Sequence, residues 1–348
     1  ARAVLTPIYK QERMFMDEKS LVPPRRCWYI ACTSAQLGRG PRTTRMLEHE
    51  IVVYRDGGGR AAALHDRCCH RGVRLSLGRV VDGTLACGYH GWRFDGGGRC
   101  VHIPSLVEGR RIAAGCGVPA LPCVERCGYV WVWTGGSAEP PGPPPEIPGF
   151  VGRRWSQGTV EHACDWLRAL ENNLDWCHPV FAHRWTHGLF YLALVRGLAA
   201  QRFELRCDAE GMELRGPVDA NGEPGAGAVS LRYSVPCRAI IAGPGARRIV
   251  VHVVPTGPQR CRVEWLVSGR WFGPQIRTVR GEPAIFRQDR VLLESAAAAE
   301  ADSQWRERSV EADAPALLLR RIVELAGRGE WTAARAAAEP RRTVQLRS

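Results

Sequence analysis

The chain has 348 residues, 45% hydrophobic and 24% charged, which excludes a disordered or fibrous protein and allows two domains of ordinary size. No run of about 18 apolar residues occurs, so no membrane-spanning helix is expected. The net charge of +13 is carried by Arg spread along the whole chain, the only lysines being Lys10 and Lys19, so nucleic-acid binding, which favours clustered basic residues between aromatics, is not expected.

The opening "ARAVLTPIYK" has no apolar core of secretory type. Fourteen cysteines are too sparse for a disulfide scaffold in a chain of this length. Most are isolated, as expected of reduced thiols in a cytoplasmic protein.

From about residue 26 to 136 the runs "CWYIACTS", "EIVVYRDGGG", "AAALHDR", "GTLACGYHGWRFDGGG" and "GYVWVWTGG" read as strands broken by Gly turns, a small all-β domain. The Pro-dense stretch "SAEPPGPPPEIPGF" (137–150) reads as a linker. In "ACDWLRALENNLDWCHPVFAHRW", helical spacing places Trp166, Leu170, Leu174 and Cys177 on one side. Residues 201–275 return to strand-like runs such as "RRIVVHVVPT" and "RCRVEWLVSGRWF". The tail "EADAPALLLRRIVELAGRG" has the pattern of an amphipathic helix ending at Gly. Residues 151–348 are therefore expected to be mixed α+β.

Within the first domain, "CCHRGVRLSLGRVVDGTLACGYHGWRFD" sets Cys68 with His70 and Cys87 with His90, the two cysteines 19 positions apart. A Cys₂His₂ zinc site usually pairs Cys with Cys and His with His. Here each loop supplies one of each, which lets both thiolates face one iron and both imidazoles the other, as in a Rieske [2Fe–2S] centre. Cys69, directly beside His70, is expected to be a bystander.

In "ENNLDWCHPVFAHRWTH", Asn172, Asp175 and His178 fall at i, i+3 and i+6, one face of a helix. His183 would lie about 140° from His178 on an undisturbed helix, so the two converge only if the helix loosens between them. Pro179 stands where that break is expected. Two imidazoles and a carboxylate would form the facial triad of non-haem Fe(II) oxygenases.

The segments "CCHRG", "SLGRV" and "GYHGWRFD" resemble the Rieske domain of the non-haem iron oxygenases, with Cys69 and Gly88 where Pro is common. "ENNLDWCHPVFAH" resembles their catalytic-domain pattern at Glu171, Asn172, Asp175, His178 and His183, with His187 outside it. The resemblance is strongest to the α-subunit-only monooxygenases related to the vanillate and dicamba O-demethylases. It implies an α+β protein with an N-terminal all-β Rieske [2Fe–2S] domain followed by a mixed α+β catalytic domain, an antiparallel sheet flanked by helices in the helix-grip manner. Residues 1–25 would pack on the catalytic domain. "AIFRQDRVLLES" resembles the stretch that supplies the third iron ligand, which makes Asp289 the candidate, ahead of Glu294 and Asp302.

The same resemblance implies a homotrimer in which Asp175 links His90 of one chain to His178 of the next, with Asn172 beside it. Electrons would come ultimately from NAD(P)H through a separate reductase or ferredoxin, because no dinucleotide fingerprint or plant-type Cys spacing is present. One oxygen atom of O₂ would enter a small organic substrate, giving hydroxylation or loss of an O- or N-methyl carbon; cis-dihydroxylation of an arene uses the same parts. An electron carrier of Rieske type and a structural zinc protein are the readings from other classes. Iron content and colour separate them. Phe190, Tyr191, Phe203, Tyr233 and Trp271 are weak candidates to line a substrate pocket.

Overall fold

The computed structural model describes residues 21–38, 40–136, 139–150, 155–183, 200–243, 248–268, 278–279, 282–300, 302 and 305–347. The chain divides into two units, the first being Arg25–Phe150 and the second lying mainly beyond it. The packing expected of residues 1–25 falls almost wholly outside the described residues.

In the first unit, β-branched and aromatic runs form short antiparallel strands. β1 (Trp28–Thr33), β10 (Cys123–Arg126) and β11 (Tyr129–Trp133) make a three-stranded sheet with β11 central; all five of its residues are buried, the fate expected of "YVWVW". β2 (Arg42–Met46), β3 (His49–Arg55), β4 (Ala61–His65) and β9 (Ala120–Leu121) make a second sheet. β5 (Arg79–Val81), β6 (Thr84–Ala86), β7 (Arg93–Phe94) and β8 (Cys100–His102) make a third. The run "GTLACGYHGWRFDGGG" is thus not one strand: β6 and β7 flank a loop.

The Pro-dense stretch packs on this unit rather than forming a free spacer. Trp28 Nε1 donates to the Gly142 carbonyl at 2.9 Å, Arg126 donates to the Pro144 carbonyl at 3.0 Å and to Glu146 at 2.5 Å, and Ile147 is buried. Extended proline-rich backbone keeps its carbonyls free to accept such bonds.

The second unit is built on an eight-stranded antiparallel sheet: β12 (Trp155–His162), β13 (Ala200–Asp208), β14 (Gly211–Val218), β15 (Pro224–Ser234), β16 (Arg238–Ala242), β17 (Arg248–Gly257), β18 (Arg260–Ser268) and, after a two-stranded pair β19 (Thr278–Val279) and β20 (Glu282–Pro283), the C-terminal β21 (Arg342–Arg347). Its helices are α1 (Trp166–Asn172), α2 (His178–Ala182), α3 (Ala284–Glu300), α4 (Ala314–Gly327) and α5 (Ala333–Ala338). Phe286 of α3 stacks on Trp265 of β18 at 5.5 Å, which fixes α3 to that face of the sheet. Gly158, paired with Trp265, leaves room for the indole: a Cβ there would lie 2.5 Å from the ring. Among the described residues, no helix is long and apolar enough to cross a membrane.

A buried charged chain ties the helices together. Arg320 of α4 grips Glu171 of α1 at 2.5 and 2.9 Å and reaches Glu307 at 3.1 Å; Arg168 of α1 joins Glu307 at 3.3 Å to Glu300 at the end of α3. Burial pushes the Glu171 carboxyl up from its ordinary range, and the Arg320 and Arg168 guanidiniums oppose that. Removing one partner of such a pair leaves an uncompensated charge in the interior. Arg320→Met is therefore expected to lower unfolding free energy by about 3–5 kcal/mol, and adding Glu171→Leu to recover most of it. Denaturant midpoints test this: a single variant as stable as the parent would mean the pair is solvated.

Candidate metal centres

Two loops of the first unit are built alike. Cys68 N–H donates to the Val73 carbonyl at 2.8 Å and Gly72 N–H to the Cys68 carbonyl at 2.9 Å; Cys87 N–H donates to the Trp92 carbonyl at 2.8 Å and Gly91 N–H to the Cys87 carbonyl at 3.0 Å. Each loop closes through a glycine in the left-handed region, φ +71° at Gly72 and +70° at Gly91, which a side chain disfavours. The pair of turns brings Cys68 and Cys87 into one core, each 3% exposed, with Leu75, Leu85 and Phe94. Their partners lie nearer the surface: the His70 and His90 rings are 4.7 Å apart, and His70 stacks on Trp92 at 4.6 Å.

These residues fit a two-iron cluster. Burial pushes the Cys68 thiol up to about 11; the His70 backbone N–H opposes this, and the Cys87 thiol beside it adds to it. A buried thiolate pair is stable only with a cation between them. His70 Nδ1 is buried without a hydrogen-bond partner, as a ring nitrogen reserved for a metal would be. Cys69 is exposed, unlike the buried cysteine pair.

In the second unit the helix carrying the first part of "ENNLDWCHPVFAH" ends at Asn172, before the position expected. Asn173 Nδ2 returns to the Ala169 carbonyl at 2.7 Å, and Asp175 Oδ1 accepts the Cys177 N–H at 2.7 Å, side-chain bonds that compete with helix continuation. Asn172, Asp175 and His178 therefore do not share one helix face. Nor does Pro179 break a helix: it sits in the first turn of α2, where no backbone N–H is needed. Asp165, whose carboxylate accepts the Leu167 N–H at 2.8 Å, caps the start of α1.

The break before α2 and its end at Ala182 allow His178 and His183 to meet, their rings 5.3 Å apart. α3 brings Asp289 across from over one hundred positions away. His183 Nε2 lies 3.1 Å and His178 Nε2 3.5 Å from Asp289 Oδ1. His178, His183 and Asp289 are the one group of three or more such ligands, among the described residues, whose donor atoms all lie within 4.8 Å of one another. Two imidazoles and one carboxylate suit Fe(II), so this donor set also fits its expected metal.

The other nitrogens of the two rings face side-chain oxygens. His178 Nδ1 lies 3.5 Å from Asp175 Oδ2, and His183 Nδ1 lies 2.9 Å from Gln288 Oε1. Burial lowers the His178 imidazolium, but the Asp175 and Asp289 carboxylates more than offset it and push the group up to about 9. Burial alone would raise Asp289; the two imidazoles hold it well below the usual carboxylate range.

Asn172 and Asp175 both line a cavity of about 190 Å³ with Glu171, Trp176 and Asp313. Glu294 instead accepts the Ala163 N–H at 3.1 Å. Phe203 packs on Trp176 at 4.9 Å and Tyr233 donates to the Pro236 carbonyl at 2.8 Å, and both are buried in the core. Phe190, Tyr191, Trp271 and His187 lie outside the described residues. Gln288 is a site residue that the sequence pattern did not flag, since glutamine carries no metal-ligand signal.

The Rieske [2Fe-2S] domain family matches residues 27–123. Among curated proteins, the chain is 38% identical over 170 residues to chlorophyllide a oxygenase of Chlamydomonas reinhardtii, covering 46% of this chain and 24% of that one. It is 37% identical over 165 residues to the oxygenase component of dicamba O-demethylase of Stenotrophomonas maltophilia, covering 46% and 48%. The chain thus spans less than half the length of these relatives. The crystal structure of dicamba monooxygenase bound to 3,6-dichlorosalicylic acid aligns over 90% of this chain and 99% of that one, with a TM-score of 0.72 at 24% identity. The front of the chain is a Rieske [2Fe–2S] domain, and over 90% of its length the chain has the fold of dicamba monooxygenase.

Proposed function

We propose that the chain is the terminal oxygenase of a multicomponent Rieske system, catalysing O₂-dependent hydroxylation or O- or N-demethylation of a small organic substrate. The observation that carries this reading is the presence, in one chain with a Rieske domain, of a second ligand set made of His178, His183 and Asp289. An electron carrier has no use for the second set. When bound, the cluster would supply single-electron storage and Fe(II) would supply O₂ activation.

The residues divide the work. Cys68 and Cys87, which are buried, and His70 and His90, nearer the surface, would hold the cluster. His178, His183 and Asp289 would hold the mononuclear iron. Asp175 steadies His178 through Nδ1, with Asn172 beside it on the same cavity wall.

A homotrimer with transfer from the cluster of one subunit to the iron of the next is supported by exposed apolar side chains near both sites. Tyr89, 62% exposed, packs on His90 at 3.9 Å, and Phe181, 66% exposed, stands on α2 between His178 and His183. Each is an exposed aromatic beside a metal-ligand candidate, and a head-to-tail contact between copies that covered both would form a ring where its rotation closes. The basic excess of +13 favours an acidic ferredoxin or reductase, fed by NAD(P)H, as the electron donor. Fourteen free thiols favour the cytoplasm.

The test is turnover with a surrogate ferredoxin and reductase under isotopically labelled O₂, across small methyl ethers, methylamines and arenes. Mass spectrometry should find a gain of one labelled oxygen or loss of a methyl group. Fast electron exchange with no O₂ consumption for any substrate, in protein holding only the cluster irons, would replace this reading with that of a carrier.

A further inference from the structure

α3 holds the ring of His183 at both nitrogens with consecutive residues: Gln288 Oε1 at 2.9 Å from Nδ1, and Asp289 Oδ1 at 3.1 Å from Nε2. Successive residues of a helix project about 100° apart, so an imidazole lying between them is fixed in position and in rotation about its own axis. An amide oxygen only accepts. Nδ1 must then donate, and the lone pair is confined to Nε2, the nitrogen that points at the shared centre of the three ligands. His178 is backed differently, by the carboxylate of Asp175 at 3.5 Å from its Nδ1. The two histidines are chemically unequal: one rests on an anion, the other on a neutral dipole.

We propose that Gln288 is a positioning residue for the mononuclear metal, fixing His183 in the Nδ1–H tautomer and keeping its support uncharged. This rests on the reading of His178, His183 and Asp289 as the metal centre. The amide orientation has a chemical consequence. Were the amide nitrogen turned to His183, Nδ1 would accept and Nε2 would carry the proton, which a metal ligand cannot do. A carboxylate at position 288 preserves the acceptor and adds a charge. A leucine removes the acceptor while keeping the volume.

Mn(II) is a suitable probe because the oxidised cluster is silent in electron paramagnetic resonance: the free-ion signal reports affinity, and the line shape of the bound ion reports its ligand field. The full chain, with its cluster oxidised and the mononuclear site cleared by a chelator, would be titrated as the parent and as His183→Ala, Gln288→Leu and Gln288→Glu. Loss of a support behind a metal-bound histidine weakens metal binding by about 10–100-fold, which is the loss expected of Gln288→Leu, with an altered line shape. Gln288→Glu should bind at least as tightly as the parent, a rescue that a purely structural role for the side chain would not produce. The inference is overturned if Gln288→Leu binds Mn(II) like the parent with the same line shape, or if Gln288→Glu is as weak as Gln288→Leu. Parent and His183→Ala binding alike would mean that the metal centre itself is misassigned, and the inference falls with it.

Discussion

Replacing His183 by alanine is expected to strip the chain of its mononuclear iron while leaving the brown colour of its cluster intact. His183 is 3% exposed, and its ring is held by Asp289 and Gln288, so water cannot simply take its place with the same geometry. His178 and Asp289 would remain, two ligands where three are needed to hold Fe(II) on one face. Iron should fall from about three to about two per chain. Substrate oxidation should fall about a thousandfold or more, since metal catalysis supplies several kcal/mol and each 1.36 kcal/mol is about tenfold in rate. Iron analysis, the visible spectrum and single-turnover product yield check the three parts separately. Turnover unchanged in the variant would place oxygen activation somewhere other than these three residues.

The two candidate sites differ in how far they can be read from sequence, and the difference is one of chain distance. The cluster loops are local objects: Cys68 to Val73 and Cys87 to Trp92 are six-residue turns whose hydrogen bonds close within themselves. Spacing alone therefore carries their geometry. The iron set is not local. His183 and Asp289 are joined only because α3 packs on the sheet through Phe286 and Trp265, and no periodicity encodes that contact. Asp289 came from resemblance, and Gln288 beside it from nothing in the pattern.

The break near His178 shows a second limit. Proline marks both helix ends and helix starts, and the deciding bonds were those of Asn173 and Asp175 to nearby backbone, which end α1 early. The Pro-dense stretch misled in the same way. Composition excluded it from a sheet, but could not say that Trp28 and Arg126 would hold its carbonyls.

The complementary lesion lies in the first unit. Cys68→Ser should abolish the cluster, whereas Cys69→Ser, one position along, should leave it untouched. Cys68 is 3% exposed beside Cys87, inside the core formed by Leu75, Leu85 and Phe94. A serine hydroxyl there cannot ionise to replace a thiolate, and the remaining three ligands cannot hold both irons. The loops would also lose the tether that binds them to each other, so cluster loss and unfolding should be linked: metal-site domains commonly fold only with the metal in place. Cys69 is exposed and lies outside that core, and its thiol is raised chiefly by partial burial and then by the neighbouring Cys116 thiol. The readouts are the visible and low-temperature paramagnetic resonance spectra of the reduced protein, together with thermal melting of each variant. Cys68→Ser should lose two irons per chain and keep the capacity of His178, His183 and Asp289 for a divalent metal, the mirror image of His183→Ala. A brown, fully loaded Cys68→Ser protein would show that Cys69 had taken its place, and the two matching turns would then no longer define the site.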